Sequence, residues 1–114
     1  ADIFVMPSRF EPCGLNQMYS LRYGTPPVVR ATGGLADTVV DCNAATLAAG
    51  TANGFVFSEP SPQALLAALE RAVSAWRDRA QWRQLQLNGM RLDFSWQTSA
   101  RRYRDLYREL IAAA

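Results

Sequence analysis

Three residues with chemical potential, Glu11, Cys13 and Gly14, lie within four positions of one another in the segment PSRFEPCGLNQ, residues 7–17. A carboxylate accepts hydrogen bonds from hydroxyl groups, a thiol is a nucleophile or a small apolar side chain, and a glycine lets a ligand approach the backbone closely. An apolar run at residues 3–6 precedes the segment, and a stretch with helical spacing follows it. We therefore predict a ligand-binding loop where a buried strand leads into a helix.

The first turn of the following helix is the part of this loop that suits an anion. Its backbone N–H groups lack partners within the helix and carry the positive end of the helix dipole, so Gly14, Leu15 and Asn16 would hold a phosphate through main-chain amides. Glu11 would repel that phosphate, and it is better suited to accept hydrogen bonds from neutral hydroxyls beside it. The two contacts together favour a phosphorylated sugar.

Each candidate also has an interpretation that needs no ligand. Glu11, near the start of a helix, would then be only a cap or a partner of the helix dipole, and Cys13 would be a small hydrophobic side chain. The GGLA at residues 33–36 lacks the third spaced glycine and the later acid of a dinucleotide fingerprint. We expect Gly33 and Gly34 to shape a turn.

The composition excludes several other kinds of site. All 12 basic residues are Arg, and the sequence contains neither Lys nor His. This rules out a Schiff base, a Walker lysine, a His-based triad and a His metal site within this chain. Cysteines and carboxylates also lack the spacing of a metal site, so we expect neither a metal nor a cofactor. A net charge of +2 without a continuous basic block gives little support for nucleic acid binding.

The length and the cysteine content indicate the kind of protein. A chain of 114 residues, 49% of them hydrophobic, suits one domain or part of one. Cys13 and Cys42 are too few for the disulfide framework of small secreted domains, and no signal peptide or long apolar span precedes the first strand. The strongly apolar start at Ile3 is unusual for a domain edge. We expect a piece of a longer protein from a reducing compartment, with no membrane partner.

The elements that must position the loop follow an α/β order. Apolar runs predict strands at residues 3–6, 28–29 and 54–57, and the continuous run of the first suggests that both its faces are covered, as in a parallel sheet. A helix over residues 14–23 would make the first two strands a right-handed βαβ unit. A short helix is expected after Arg30. Three strands with flanking helices predict part of a Rossmann-like doubly wound sheet, whose ligands bind beyond the carboxyl ends of the strands.

The remaining segments are predicted from caps and apolar spacing. We expect a loop at residues 42–53 and helix N-caps at Ser61, Asp78 and Ser95, with Pro62 at a first helical position. The predicted apolar stripes of the four longer helices comprise Leu15, Met18, Tyr19 and Arg22; Leu65, Leu66, Leu69, Val73 and Trp76; Trp82, Leu85, Gly89 and Leu92; and Ala100, Tyr103, Leu106, Tyr107, Leu110 and Ile111.

The ordered strings RFEPCGLNQ, RYGT and TGGLADTV, with NGFVF and DFSWQTSARRYRDLY after them, closely resemble the carboxyl-terminal domain of bacterial glycogen synthases and plastid starch synthases. The likeness covers essentially the whole chain. It implies a retaining glucosyltransferase with two Rossmann-like domains facing across a cleft, the GT-B arrangement. Residues 1–114 would form the C-terminal portion of the nucleotide-sugar-binding domain, and the final helix, 96–112, would dock on the missing N-terminal domain.

The resemblance also assigns roles to the loop. Glu11 matches the acid that contacts hydroxyls of the donor glucose, and Cys13 and Gly14 match positions beside that sugar. Leu15 and Asn16 fall where backbone amides meet the phosphate or ribose side of the nucleotide. Related enzymes of the wider superfamily hold the ribose with a second Glu. This chain has Tyr19 at that position, and the synthase branch resembles it in lacking the acid. The residue that contacts the ribose therefore stays open.

The implied reaction transfers α-glucosyl from ADP-glucose to the 4-hydroxyl at the nonreducing end of an α-1,4-glucan. The partners would be ADP-glucose, the glucan acceptor and the missing N-terminal domain, in the bacterial cytoplasm or the plastid stroma. The preference for ADP over UDP rests on the likeness. Two rivals stand beside this hypothesis: a noncatalytic nucleotide-binding or interaction module, and phosphorylase-like chemistry on the same fold, which the absence of lysine disfavours within this segment.

Overall fold

The computed structural model describes residues 1–9, 15–92 and 96–113, with the backbone alone for residues 96–99. Three parallel strands form one sheet in the order β1-β2-β3, which confirms the predicted α/β class and the three predicted strands. The strands are β1 (Phe4–Met6), β2 (Pro27–Arg30) and β3 (Phe55–Phe57), and the helices are α1 (Asn16–Arg22), α2 (Gly33–Thr38), α3 (Ala44–Ala49), α4 (Pro62–Arg77), α5 (Arg79–Met90) and α6 (Trp96–Ala113).

The core lies on both faces of the central strand β2. Val28 belongs to a cluster with residues of β3, α4 and α5, while its neighbour Val29 packs on the opposite face with Met6 and Leu35. The expectation that the first strand is covered on both faces is wrong in this structure. Val5 of β1 is exposed, because α4 packs on β3 and β2.

The buried face of α1 differs from the predicted stripe. Leu15, Tyr19 and Arg22 are exposed and Met18 is only partly buried, whereas the buried residues are Gln17, Ser20 and Leu21. Leu21 packs against α5, where a Cβ on Gly89 would lie 3.0 Å from Leu21 Cδ2. Gln17 and Ser20 are buried with hydrogen-bond partners, the Thr38 hydroxyl and the Thr25 carbonyl, so ranking residues by apolar character selected the wrong face.

Helix α4 shows the same effect. Ala68, Ala72 and Ala75 are buried against the sheet, with Leu65 and Leu69 packed beside them. The other members of the predicted stripe are exposed, so the prediction was right for only part of the face. Alanine lets a helix lie close to the sheet, and longer side chains then flank the contact. The exposed members are Leu66, Val73 and Trp76.

Two predicted helix caps are confirmed. The Ser61 side chain accepts a hydrogen bond from the Ala64 N–H at 3.2 Å, and α4 begins at Pro62. The Asp78 carboxylate accepts from the Gln81 N–H at 3.2 Å and so caps α5. The third predicted cap, Ser95, lies outside the described residues.

On α5, three members of the predicted stripe are buried and the fourth is not. Trp82, Leu85 and Gly89 lie in the interior, and the Trp82 ring stacks on the Phe55 ring with centroids 6.4 Å apart. Leu92 follows the end of the helix and is exposed. The buried pair of rings fixes α5 against β3.

The prediction of a loop at residues 42–53 is wrong, because this segment contains α3. The Asn43 side chain accepts from the Thr46 N–H at 2.9 Å, and the Thr46 hydroxyl accepts from the Asn43 N–H at 3.0 Å. This reciprocal capping box starts the helix, and Gly50, with φ of 73°, ends it in the left-handed region. The segment lacks a large apolar stripe, but both of its ends carry helix signals.

A carboxylate and a guanidinium join β3 to α4. Asp41 Oδ1 accepts from the Val56 N–H at 2.8 Å and from Arg71 Nη2 at 3.0 Å. Arg71 also donates to the Cys42 carbonyl at 2.7 Å and lies 5.5 Å from the centroid of the Phe55 ring. These contacts hold the end of the sheet against the helix that follows it.

Helix α6 spans Trp96–Ala113, where the sequence predicted the final helix. Its predicted apolar stripe is exposed throughout, and the exposed fraction of Tyr107 is 62%. Among the helices in the described part of the chain, none combines the length and apolar character needed to cross a membrane.

Candidate functional site

The candidate loop connects the carboxyl end of β1 to the start of α1, as predicted. Three of the five predicted site residues, Glu11, Cys13 and Gly14, lie outside the described residues. The other two, Leu15 and Asn16, lie side by side at the beginning of α1 and are exposed. The structure therefore shows the strand and the helix between which the loop lies, together with its first and last residues.

Leu15 occupies the N-cap position of α1. Its carbonyl accepts from the N–H groups of Met18 at 3.0 Å and Tyr19 at 3.2 Å, and its side chain, 57% exposed, supplies no cap hydrogen bond. The first two residues at this helix end, Leu15 and Asn16, are exposed, and the first N–H groups of a helix have no partner within the helix. A ligand that accepts hydrogen bonds is the chemistry that this helix end suits.

Asn16 and Tyr19 line a shallow cavity of about 400 Å³ beside β1, together with Phe4 and Tyr23. Tyr19, which the resemblance matches to the second acid of the wider superfamily, is exposed and belongs to this lining. A larger open groove of about 610 Å³ lies between Tyr23 and α5, but it contains none of the predicted site residues. We therefore assign the candidate site to the loop between β1 and α1, although the larger of these two cavities lies elsewhere.

Helices α1 and α2 are tied together beside the loop. The buried Gln17 donates through Nε2 to the Thr38 hydroxyl at 3.3 Å, and that hydroxyl donates to the Gly34 carbonyl at 2.7 Å. Gly33 begins α2 with φ of 46°, a left-handed conformation that glycine adopts without the strain of a side chain. The GGLA segment thus forms the first turn of α2, where the sequence predicted that Gly33 and Gly34 shape a turn.

Arg30, the last residue of β2, contacts the candidate loop directly. Its Nη1 donates to the Arg9 carbonyl at 2.6 Å and to the Ser8 carbonyl at 3.4 Å. The sequence analysis missed this residue. The only signal was a charged side chain at the end of the apolar run PVVR, where a buried strand reaches the ligand-binding edge of a parallel sheet.

Cys42 lies away from the loop and is unsuited to nucleophilic chemistry. Burial raises the pKa of its thiol, although a hydrogen bond from Gln81 at 3.7 Å and the nearby Arg71 act in the opposite direction. The protonated thiol is a poor nucleophile, so Cys42 serves as a core residue. In the part of the chain that the structure describes, no three His, Cys, Asp or Glu side chains are grouped as a metal site.

Two bacterial glycogen synthases are similar in sequence to this chain over nearly its whole length. The glycogen synthase of Nitrosospira multiformis is 65% identical over 97% of this chain, and that of Dechloromonas aromatica is 62% identical over 98%. The chain spans only 22% and 23% of the length of these relatives.

A solved structure agrees with the fold. The catalytic domain of starch synthase IV from Arabidopsis thaliana, bound to ADP and acarbose, superposes with a TM-score of 0.82 at 40% identity, over 98% of this chain and 23% of that one. The sequence profile of the glycosyl transferases group 1 matches residues 1–86, and these include all three strands and the candidate loop. The chain therefore belongs to the glycosyl transferases group 1 family.

Proposed function

We propose that this chain is the carboxyl-terminal part of a glycogen synthase, which transfers α-glucosyl from ADP-glucose to the 4-hydroxyl at the nonreducing end of an α-1,4-glucan with retention of configuration. The observation that carries the proposal is the 65% identity to a glycogen synthase over 97% of the chain. The loop between β1 and α1 is the part of the chain that we assign to the donor.

The solved starch synthase supports the choice of donor, because its structure contains ADP together with acarbose. In our proposal Glu11 accepts hydrogen bonds from hydroxyls of the donor glucose, and Cys13 and Gly14 lie beside that sugar. Main-chain N–H groups at Leu15 and Asn16 bind the phosphate or ribose side of the nucleotide. The exposed start of α1 supports this assignment for the last two residues.

The proposed chemistry uses these groups at the moment when the bond to the diphosphate breaks. Negative charge grows on the departing diphosphate, and preorganised N–H groups stabilise it without having to reorient. The glucose ring gains oxocarbenium character at the same time. The Glu11 carboxylate, which holds hydroxyls of that ring, orients it toward the acceptor hydroxyl and lowers the entropy lost in reaching the transition state.

We further propose that the apolar face of α6 docks on the N-terminal domain of the same polypeptide, which would supply the other side of the cleft. Support comes from the exposure of that face and from the relatives, whose length is more than four times that of this chain. The glucan acceptor would bind between the two domains. Because the similar synthases are bacterial, we place the protein in the bacterial cytoplasm.

The decisive experiment is the Glu11→Ala substitution in the full-length enzyme. Each hydrogen bond to a charged group is worth roughly 1.5 to 3 kcal/mol, and about 1.4 kcal/mol corresponds to a factor of ten in rate. We expect glucosyl transfer from ADP-glucose into glucan to fall at least about tenfold, as measured by incorporation of labelled glucose.

The matched control is Glu70→Ala, which removes an exposed carboxylate from α4. This variant should transfer glucose at the wild-type rate. Wild-type activity in Glu11→Ala would remove Glu11 from the mechanism. A wild-type enzyme that uses UDP-glucose in preference to ADP-glucose would overturn the proposed donor.

A further inference from the structure

We propose that Arg30 is a positioning residue for the donor-binding loop: it restrains the backbone at Ser8 and Arg9, the described residues at the start of the loop, and thereby favours binding of the donor. This inference rests on the proposed function, because it concerns how the same loop is held.

The geometry places Arg30 at the base of the loop. The last pair between β1 and β2 joins Met6 to Val29, so Arg30 lies one residue beyond the end of β1, where the loop begins. Its guanidinium donates through Nη1 to the carbonyls of Ser8 and Arg9, at 3.4 and 2.6 Å. These are consecutive carbonyls of the chain that leads to Glu11, which is two residues beyond Arg9.

The type of contact is suited to fixing a backbone. The two bonds go to main-chain oxygens, so they restrain the path of the chain and do not depend on which side chains the loop carries. A guanidinium stays charged at all relevant pH values and presents its donors in a rigid plane, and charge-assisted bonds are stronger than neutral ones. A loop that is held in this way reaches its binding conformation with less entropy to lose when the donor arrives.

The contacts of Arg30 among the described residues support a role at the base of the loop. Arg30 is half-buried at the carboxyl end of the central strand β2, and its Nε is buried without a hydrogen-bond partner among the described residues. Within the same described residues no carboxylate forms a salt bridge with it. Removing a cation from water is costly when no acid compensates for it. Among the described residues, the hydrogen bonds to the carbonyls of Ser8 and Arg9 compensate for the loss of water around the guanidinium.

The test compares three substitutions in the full-length enzyme. Arg30→Met keeps the length of the side chain and removes every donor, Arg30→Lys keeps the charge but loses the planar fork, and Arg83→Met makes the same chemical change at an exposed position on α5. The measurements are kcat and KM for ADP-glucose, the thermal unfolding midpoint, and amide hydrogen exchange of the peptide that covers residues 8–16.

We expect Arg30→Met to lower kcat/KM for ADP-glucose by about tenfold or more, since it removes bonds from a charged group and each is worth about that factor. Arg30→Lys should recover part of the loss, and Arg83→Met should behave as wild type. Hydrogen exchange of residues 8–16 should be faster in Arg30→Met, while the peptides of α4 and α5 keep their wild-type rates.

The possible outcomes separate this inference from the function on which it rests. An inactive wild-type enzyme overturns both. An active wild type in which Arg30→Met equals Arg83→Met overturns the inference alone. Lost donor use with unchanged exchange in residues 8–16 also overturns it, because Arg30 would then not act through the loop. Faster exchange throughout the chain with a lower unfolding midpoint would make Arg30 a general structural residue and would equally refute the proposal.

Discussion

Helices α5 and α6 both carry apolar residues at helical spacing, but the apolar face of α5 is buried and that of α6 is exposed. On α5, Trp82 is only 2% exposed and its ring stacks on Phe55, whereas on α6 Tyr107 is 62% exposed. On these two helices the same periodicity therefore marks an apolar face without identifying what buries it. Whether an apolar face is buried depends on the surface that packs on it, and for α5 that surface is formed by β3 and α4.

The first test of this comparison is Trp82→Ala, for which we expect the largest loss of stability. Truncating a large buried aromatic side chain typically costs about 3 to 5 kcal/mol, because contacts are lost and a cavity remains. We expect the free energy of unfolding of the 114-residue chain, measured by urea denaturation with circular dichroism, to fall by about that amount. The second tryptophan provides the comparison.

Trp76 lies on α4 with 37% of its surface exposed, and the Arg79 guanidinium lies 4.3 Å from the centroid of its ring. Trp76→Ala removes that cation–π contact and some partly exposed surface, which together should cost about 1 kcal/mol. Equal losses in the two alanine variants would show that Trp82 is not the anchor of α5.

The next test concerns the carboxylate that joins β3 to α4. Asp41→Ala leaves the Val56 N–H and the Arg71 guanidinium without their shared acceptor, and an unsatisfied polar group costs about 1 to 3 kcal/mol. We expect a loss in that range by urea denaturation. Asp37→Ala, at an exposed position on α2, should change the free energy of unfolding by no more than about 0.5 kcal/mol. Should both variants unfold alike, Asp41 would not be joining the two elements.

The smallest effect is expected at Tyr107→Ala in this chain, because an exposed substitution usually changes stability by no more than about 0.5 kcal/mol. In the full-length protein the same substitution should lower the thermal unfolding midpoint, since we propose that this face is covered there. Measuring the midpoint in both settings is therefore a direct test of docking. An unchanged midpoint in the full-length protein would show that α6 stays uncovered.

Sequence reasoning recovered the elements whose signals are local. The strands follow from short apolar runs, and the Ser61 and Asp78 caps follow from residue types with one preferred geometry at a helix start. Helix α3 was missed because its residues are mostly alanine and lack an apolar stripe, although Asn43 and Gly50 mark its ends. A segment of small residues is thus better judged by its caps than by its periodicity.

The buried faces of α1 and α4 could not be predicted because they depend on how closely the helices approach their neighbours. Ala72 and Ser20 are buried, while Leu66 and Tyr19 are exposed. Apolar ranking assumes that the largest hydrophobic residues lie inside, and it fails wherever close packing selects small ones. Only the positions of the neighbouring elements supply that information.

The candidate site was predictable only in part. The strand–loop–helix order and the position of Leu15 and Asn16 at a helix start follow from the sequence, and the structure confirms them. The roles of Glu11, Cys13 and Gly14 stay predictions, since these residues lie outside the described part of the chain. Arg30 was missed because it is 21 residues from Arg9 in sequence, and no local pattern links the two.

The position of β2 between two partners has a mechanical consequence. A strand that is hydrogen-bonded on both sides, as β2 is, separates only when the sheet itself comes apart. The carbonyls of Ser8 and Arg9 are bonded to a residue of that central strand. The segment that follows β1 is therefore anchored to a strand that stays in place for as long as the sheet itself does.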